Sequence, residues 1–116
     1  MGNAVAHFEL QGPDPEGTAK FYSQVFGWHA ESMPGEWPYV VVDTHSGKGI
    51  NGGMGSSPDG GPHVNVYAEV DDIQKYLDKI ESLGGKTIVP PMDAGNVRFA
   101  QFADPQGTAF GLFTGM

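Results

Sequence analysis

The sequence predicts an α+β protein made of two βαβββ modules, whose curved mixed sheets enclose a cleft. Two segments have apolar residues at helical spacing, and each has one extended run before it and three after it. The helix signals also repeat at a fixed distance, because Asp14 and Asp71 are 57 positions apart, as are Gly27 and Gly84. A repeat this long, present in two copies, does not fit a solenoid. We therefore expect one domain over residues 1–116, with modules at about residues 4–55 and 62–116.

The first module opens with an extended run from Val5 to Leu10, in which alternate side chains point to opposite faces. His7 and Glu9 share one face. The other face is expected to pack in the core and carries three apolar side chains: Ala6, Phe8 and Leu10.

A helix is predicted to begin near Pro15, since Asp14 is a suitable N-cap and proline suits the first helical position. Gly27 ends it. Its apolar stripe consists of Ala19, Tyr22, Val25 and Phe26. Three extended runs follow, at about residues 28–33, 39–44 and 49–54.

The second module repeats this order after a glycine-rich linker. A strand is predicted over residues 63–70, and Asp71 and Asp72 cap a helix that ends at Gly84 and Gly85. The helix has an apolar stripe of Ile73, Tyr76, Leu77, Ile80 and Leu83. Three strands are predicted at residues 86–89, 97–102 and 108–114, with P-P-M-D-A-G-N as the turn between the first two.

Composition excludes several classes of function. The formal net charge is −8, and such a surface repels nucleic acid and anionic membranes, so neither is an expected partner. The chain has no cysteine, which excludes disulfides, thiolate nucleophiles and iron–sulfur clusters. With neither a signal-peptide pattern nor a membrane-spanning run of apolar residues, we expect a cytoplasmic protein.

Several phrases along the whole chain resemble the vicinal oxygen chelate superfamily, which contains glyoxalase I, bleomycin-resistance proteins and dioxygenases. They are H-F-E-L and F-Y-S-Q-V-F-G-W in the first half, and Y-A-E-V-D-D-I, L-G-G-K and F-A-D-P-Q-G-T-A-F-G-L-F in the second. Within that superfamily the chain is similar to short glyoxalase-related proteins.

The resemblance implies four metal-ligand positions, on the first and last strands of each half. His7 occupies the first of these positions, Asn65 its counterpart in the second half and Gly111 the last. The remaining position is expected near Asn51. Because three of the four lack the family's usual ligand, the glutathione-dependent glyoxalase I reaction is not expected.

Two readings of the polar residues remain open. His7, Glu9 and His63 could hold a divalent metal (Mn, Fe, Ni, Zn or Co) and serve a lyase, isomerase or dioxygenase. Alternatively, His7 and Glu9 bond to each other or to the backbone, and His63 simply begins a strand. Glu9 could also act as a general base, or be a structural hydrogen-bond acceptor.

The first functional hypothesis is therefore binding of a small apolar or aromatic molecule in the cleft, without the full metal site. Aromatic side chains supply flat apolar surface for such a ligand, although some must belong to the core. The candidates are Trp28, Trp37, Tyr39, Tyr67 and Phe99. A homodimer is also expected, because exposed sheet edges favour pairing.

Overall fold

The computed structural model describes residues 2–33, 39–94 and 96–115. Within them the chain forms eight strands and two helices, so the predicted α+β class and the order strand, helix, three strands in each half are confirmed. The elements are β1 (Val5–Gln11), α1 (Pro15–Phe26), β2 (His29–Met33), β3 (Tyr39–Asp43), β4 (Gly52–Gly55), β5 (His63–Glu69), α2 (Ile73–Ser82), β6 (Lys86–Ala94), β7 (Val97–Ala103) and β8 (Ala109–Thr114).

The chain divides into two compact units, which we call the first unit (residues 7–65) and the second unit (residues 1–6 and 66–116). In the first unit the strand order is β2-β3-β4-β1, and β1 is parallel to β4 while the other pairs are antiparallel. In the second unit the order is β5-β8-β7-β6, with β5 parallel to β8. Each group of four strands, called below the sheet of its unit, is therefore mixed, as predicted.

The repeat distance differs by one residue from the predicted value at the helix starts. α1 has Asp14 as its N-cap, but α2 is capped by Asp72, whose carboxylate accepts a hydrogen bond from the Lys75 N–H at 3.2 Å. The strands β1 and β5 also begin 58 positions apart, at Val5 and His63. With this offset Glu9 corresponds to Tyr67, and Gly53 to Gly111.

The first unit buries its core between α1 and one face of its sheet. The buried side chains are Ala19, Val40, Val42 and Met54, and Phe8 and Leu10 of β1 pack against them as predicted. The predicted α1 stripe extends too far, however, since Val25 and Phe26 are more than half exposed. Of that stripe, Ala19 belongs to the core and Tyr22 packs against it, while the Phe26 ring lies 5.0 Å from the ring of Trp28 at the edge of the cluster.

The second unit has an equivalent core beneath α2. It consists of Val70, Ile73, Leu77, Ala100 and Leu112, with Tyr76 and Ile80 packed against it. Leu83 is exposed, since it lies beyond the last helical residue at the C-cap. The rest of the predicted α2 stripe is confirmed.

Two strand boundaries depart from the predictions by more than one residue. β4 begins at Gly52 rather than Gly49, and β6 continues through Pro90 and Pro91 to Ala94, where a turn was predicted. β6 pairs with β7 on one side, and its register shifts between Thr87 and Met92. Proline is tolerated there because irregular strands with one pairing partner do not need every N–H.

Candidate functional site

The polar face of the first sheet lies opposite α1. In β1, His7, Glu9 and Gln11 alternate with the core residues Phe8 and Leu10, as the sequence pattern predicts. Glu9 and Gln11 are only 8% and 6% exposed, and the Gln11 amide donates a 2.7 Å hydrogen bond to Glu9 Oε1. A buried carboxylate that accepts from a fixed amide is held in one orientation.

His7 on the same face is joined to Tyr39 of β3. The distance between His7 Nε2 and the Tyr39 hydroxyl is 3.0 Å. Burial lowers the pKa of His7, and the nearby negative charge of Glu9 opposes that effect without cancelling it. His7 is therefore mainly neutral at pH 7, and depending on the tautomer Nε2 either accepts a hydrogen bond from the Tyr39 hydroxyl or donates one to its oxygen.

Two glycines of β4 make room for the Tyr39 side chain. A Cβ placed on Gly53 would lie 2.6 Å from Tyr39 Cζ, and one on Gly55 would lie 2.9 Å from the ring and 3.4 Å from Glu9 Oε2. Tyr39, His7 and Glu9 therefore form one compact polar group against the backbone of Gly53 and Gly55.

The corresponding face of the second unit repeats this tyrosine-over-glycine arrangement. A Cβ on Gly111 would lie 2.7 Å from Tyr67 Cγ and closer still to two other ring carbons. The Tyr67 hydroxyl accepts a 3.1 Å hydrogen bond from the Gln101 amide, and both residues are buried.

The predicted metal-ligand positions do not fit a metal. Asn51 is not the β4 equivalent of Gly111, because it lies before β4 begins; its Oδ1 accepts a hydrogen bond from the Thr44 N–H at 3.1 Å. The equivalent is Gly53, which pairs with Glu9 as Gly111 pairs with Tyr67. Tyrosine rings therefore occupy the space that a ligand side chain at either glycine would need.

His63, the third predicted metal ligand, contacts Asp59 instead. Its Nε2 lies 2.8 Å from Asp59 Oδ1, which also accepts hydrogen bonds from Gly61 N–H and from the Ser57 hydroxyl. These hydrogen bonds, of which the one from Gly61 has the largest effect, lower the pKa of Asp59 to about 2. In the part of the chain that the structure describes, no three His, Asp or Glu side chains form a group that could hold a metal ion.

The remaining predicted ligand-binding residues lie in different surroundings. Trp28 packs on the helix side of the first sheet, with its ring 5.5 Å from Phe8 and 6.0 Å from Tyr22. Phe99 of β7 is half-buried and is paired in register with Phe113. Trp37 lies outside the described residues. A ligand-binding role for each of the three stays a prediction.

Sequence reasoning missed Gln11 and Gln101, which position Glu9 and Tyr67. The signal for Gln11 was present, because a residue two places after Glu9 on a strand must share its face. Gln101 gave no such signal, since its contact with Tyr67 joins residues 34 positions apart.

The chain belongs to the Glyoxalase/Bleomycin resistance protein/Dioxygenase superfamily, whose sequence model matches residues 4–112. The anthracycline biosynthesis protein DnrV of Streptomyces peucetius is 34% identical over 128 aligned residues, covering 95% of this chain and 46% of DnrV. CFP32 of Mycobacterium bovis, which carries a glyoxylase name, is 30% identical, with 90% of this chain and 43% of CFP32 covered. The chain thus spans about half the length of these relatives.

Solved structures share the fold at low sequence identity. A Streptomyces coelicolor methylmalonyl-CoA epimerase in complex with 2-nitronate-propionyl-CoA matches with a TM-score of 0.70 and 15% identity, over 97% of this chain and 94% of that one. The Mycobacterium tuberculosis methylmalonyl-CoA epimerase matches with a TM-score of 0.68 and 12% identity, over 97% and 87%. Among the residues described, neither helix has the length and apolar character needed to cross a membrane.

Proposed function

We propose that the protein binds a small apolar or aromatic molecule against the polar face of the first sheet, without the metal of its superfamily. The observation that carries this proposal is the compact group of Tyr39, His7 and Glu9 above Gly53 and Gly55. Protein binding sites for small molecules combine apolar surface with a few fixed polar groups, and an aromatic ring beside a hydroxyl, an imidazole and a carboxylate meets that description.

A planar, cationic aromatic compound is the ligand class best supported. One relative is named for anthracycline biosynthesis, which is why an anthracycline serves as the probe below. The formal net charge of −8 raises the local concentration of cations at the protein surface. Tyr39 offers a ring for stacking, and Glu9 offers a carboxylate.

Titration of the untagged protein into doxorubicin, followed by the fluorescence anisotropy of the drug, tests the proposal. We expect saturable binding at one site per chain. Tyr39→Phe, which keeps the ring but loses the hydroxyl, should weaken binding about 3- to 10-fold, as the net loss of one hydrogen bond predicts. Tyr76→Phe is the matched control, because its hydroxyl lies on α2 beside Asn3.

Two results would contradict the proposal. One is the absence of saturable binding by doxorubicin and by its uncharged aglycone. The other is an equal effect of Tyr39→Phe and Tyr76→Phe on affinity, since binding would then not involve the Tyr39 face. Urea unfolding of each variant identifies any loss of binding caused by loss of the fold.

The alternative function, a divalent-metal-dependent lyase, isomerase or dioxygenase that uses His7, Glu9 and His63, stays a prediction. It has less support, because His63 is paired with Asp59 and tyrosine rings fill the space above Gly53 and Gly111. Elemental analysis of the wild type and of His7→Ala tests it. One metal per chain that disappears in the variant would favour the enzyme. A general-base role for Glu9 would show as activity lost in Glu9→Gln.

A homodimer also stays a proposal, and one surface favours it. Phe21, Val25 and Phe26 of α1 are each 54% to 60% exposed, and adjacent exposed apolar side chains are typical of interaction surfaces. Light scattering on the wild type and on Phe21→Lys would measure the mass, and a monomer in both would contradict the proposal.

A further inference from the structure

A group of histidines and carboxylates lies at one end of the β2-β3 hairpin, and neither the core nor the proposed ligand site uses it. His29 opens β2 and is paired in register with Asp43, the last residue of β3. His45 follows two residues later, and Glu31 lies two residues after His29 on the same face of β2. We call these four residues the hairpin histidine cluster.

The two imidazoles of this cluster are close together. Their ring centroids are 5.6 Å apart at an interplanar angle of 76°, and His29 Nε2 lies 3.7 Å from Glu31 Oε2. Two histidines bound to one ion at about 2.1 Å per nitrogen have ring centres at a similar separation, so small side-chain rotations would bring both nitrogens to a shared ion. The side chains of His29 and Glu31 are 61% and 73% exposed, which leaves them free to rotate.

The backbone at His45 is held in an unusual conformation. Its φ is +54°, in the left-handed region that residues other than glycine rarely adopt, and Asp43 Oδ1 accepts a hydrogen bond from the His45 N–H at 2.8 Å. Asn or Gly would fit such a turn with less strain. A strained backbone that places an imidazole beside a second one is a reason to look for a function there.

We propose that the hairpin histidine cluster binds a late first-row divalent cation, such as Zn²⁺, Ni²⁺ or Cu²⁺, through the imidazoles of His29 and His45. Imidazole suits these ions, and Glu31 and Asp43 add negative charge nearby without coordinating the ion, since no three such side chains among the described residues could share one. The site has two protein ligands, and water completes the coordination. It is separate from His7, Glu9 and His63, and it does not depend on the proposed ligand-binding function.

Isothermal titration calorimetry tests the site. ZnCl₂ is titrated into untagged protein at pH 7.5, in a buffer that does not bind metal. We expect one Zn²⁺ per chain. His29→Gln and His45→Asn should each weaken binding by about tenfold or more, the equivalent of ~1.4 kcal/mol. Asn is chosen at position 45 because it tolerates the left-handed backbone. His63→Gln and His7→Gln are matched controls and should leave the affinity unchanged.

The position of the ion can be located independently of these variants. Substoichiometric Cu²⁺ should broaden the amide NMR signals of residues 29–31 and 43–45 before any others in wild-type protein. Three results would overturn the proposal: no saturable Zn²⁺ binding, unchanged affinity in both His29→Gln and His45→Asn, or broadening centred on residue 7 or residue 63. Since the wild type is the sample, misfolding of a variant cannot produce the last result.

Discussion

Substitution of Gly111 by alanine should destabilise the second unit, because the added methyl group would overlap the Tyr67 ring. The new Cβ would lie 2.7 Å from Tyr67 Cγ, where real Cβ contacts are longer than 3 Å. Cγ is next to the backbone, so the ring cannot move aside without rotating the whole side chain. That side chain is 3% exposed and is bonded to Gln101. Overpacking of this kind costs about 1–3 kcal/mol of unfolding free energy.

Urea unfolding measures this cost, and Gly12→Ala is the matched control. Gly12 has no heavy atom within 4 Å of its added Cβ and no left-handed φ, so its substitution should change the unfolding free energy by less than about 0.5 kcal/mol. The effect of Gly111→Ala should also nearly vanish in a Tyr67→Ala background, where the ring is gone. Equal effects of Gly12→Ala and Gly111→Ala, or an undiminished effect in that background, would refute the steric reasoning.

Three further predictions concern caps and titration. Asp72→Ala should lower the unfolding free energy by about 1 kcal/mol through loss of the α2 N-cap, whereas Asp71→Ala should change it little, as urea unfolding would reveal. Burial lowers the pKa of His7, so the contribution of His7 to stability is complete above its ordinary pKa of 6.5 and declines as the pH falls below that value. His7→Gln should therefore reduce the change in melting temperature between pH 7 and pH 5. The carboxylate of Asp59, with its pKa lowered from 3.8 to about 2, adds stability that is lost over that range on acidification, and Asp59→Asn should remove this part of the acid transition.

The fold could be predicted from sequence because local signals agree with one another along both halves. Asp14, Pro15 and Gly27 mark α1 at the residues where it begins and ends. The alternation from Val5 to Leu10 assigns Phe8 and Leu10 to the core and Glu9 to the other face. The predicted strand boundaries were wrong where pairing with a neighbouring strand determines the structure. β6, for example, continues through two prolines that would ordinarily indicate a turn.

The candidate site was only partly predictable. His7, Glu9 and Tyr39 were identified by position and residue type, but the bond between His7 and Tyr39 joins residues 32 positions apart and depends on sheet register. The role of Gly53 was hidden for the same reason. Without the register of β1 against β4, the sequence offered Asn51 as the equivalent position, two residues too early.

The tyrosine-over-glycine arrangement constrains how this chain could change during evolution. A carboxylate introduced at position 53 or 111 would meet a ring already in that space, so the first mutational step toward a four-ligand metal centre would yield a damaged protein. The ring would have to be lost before, or together with, the gain of the acid. Each half would need such a coupled pair of changes, at 39 with 53 and at 67 with 111. Acquisition of a four-ligand metal centre by this chain therefore requires paired substitutions in each half.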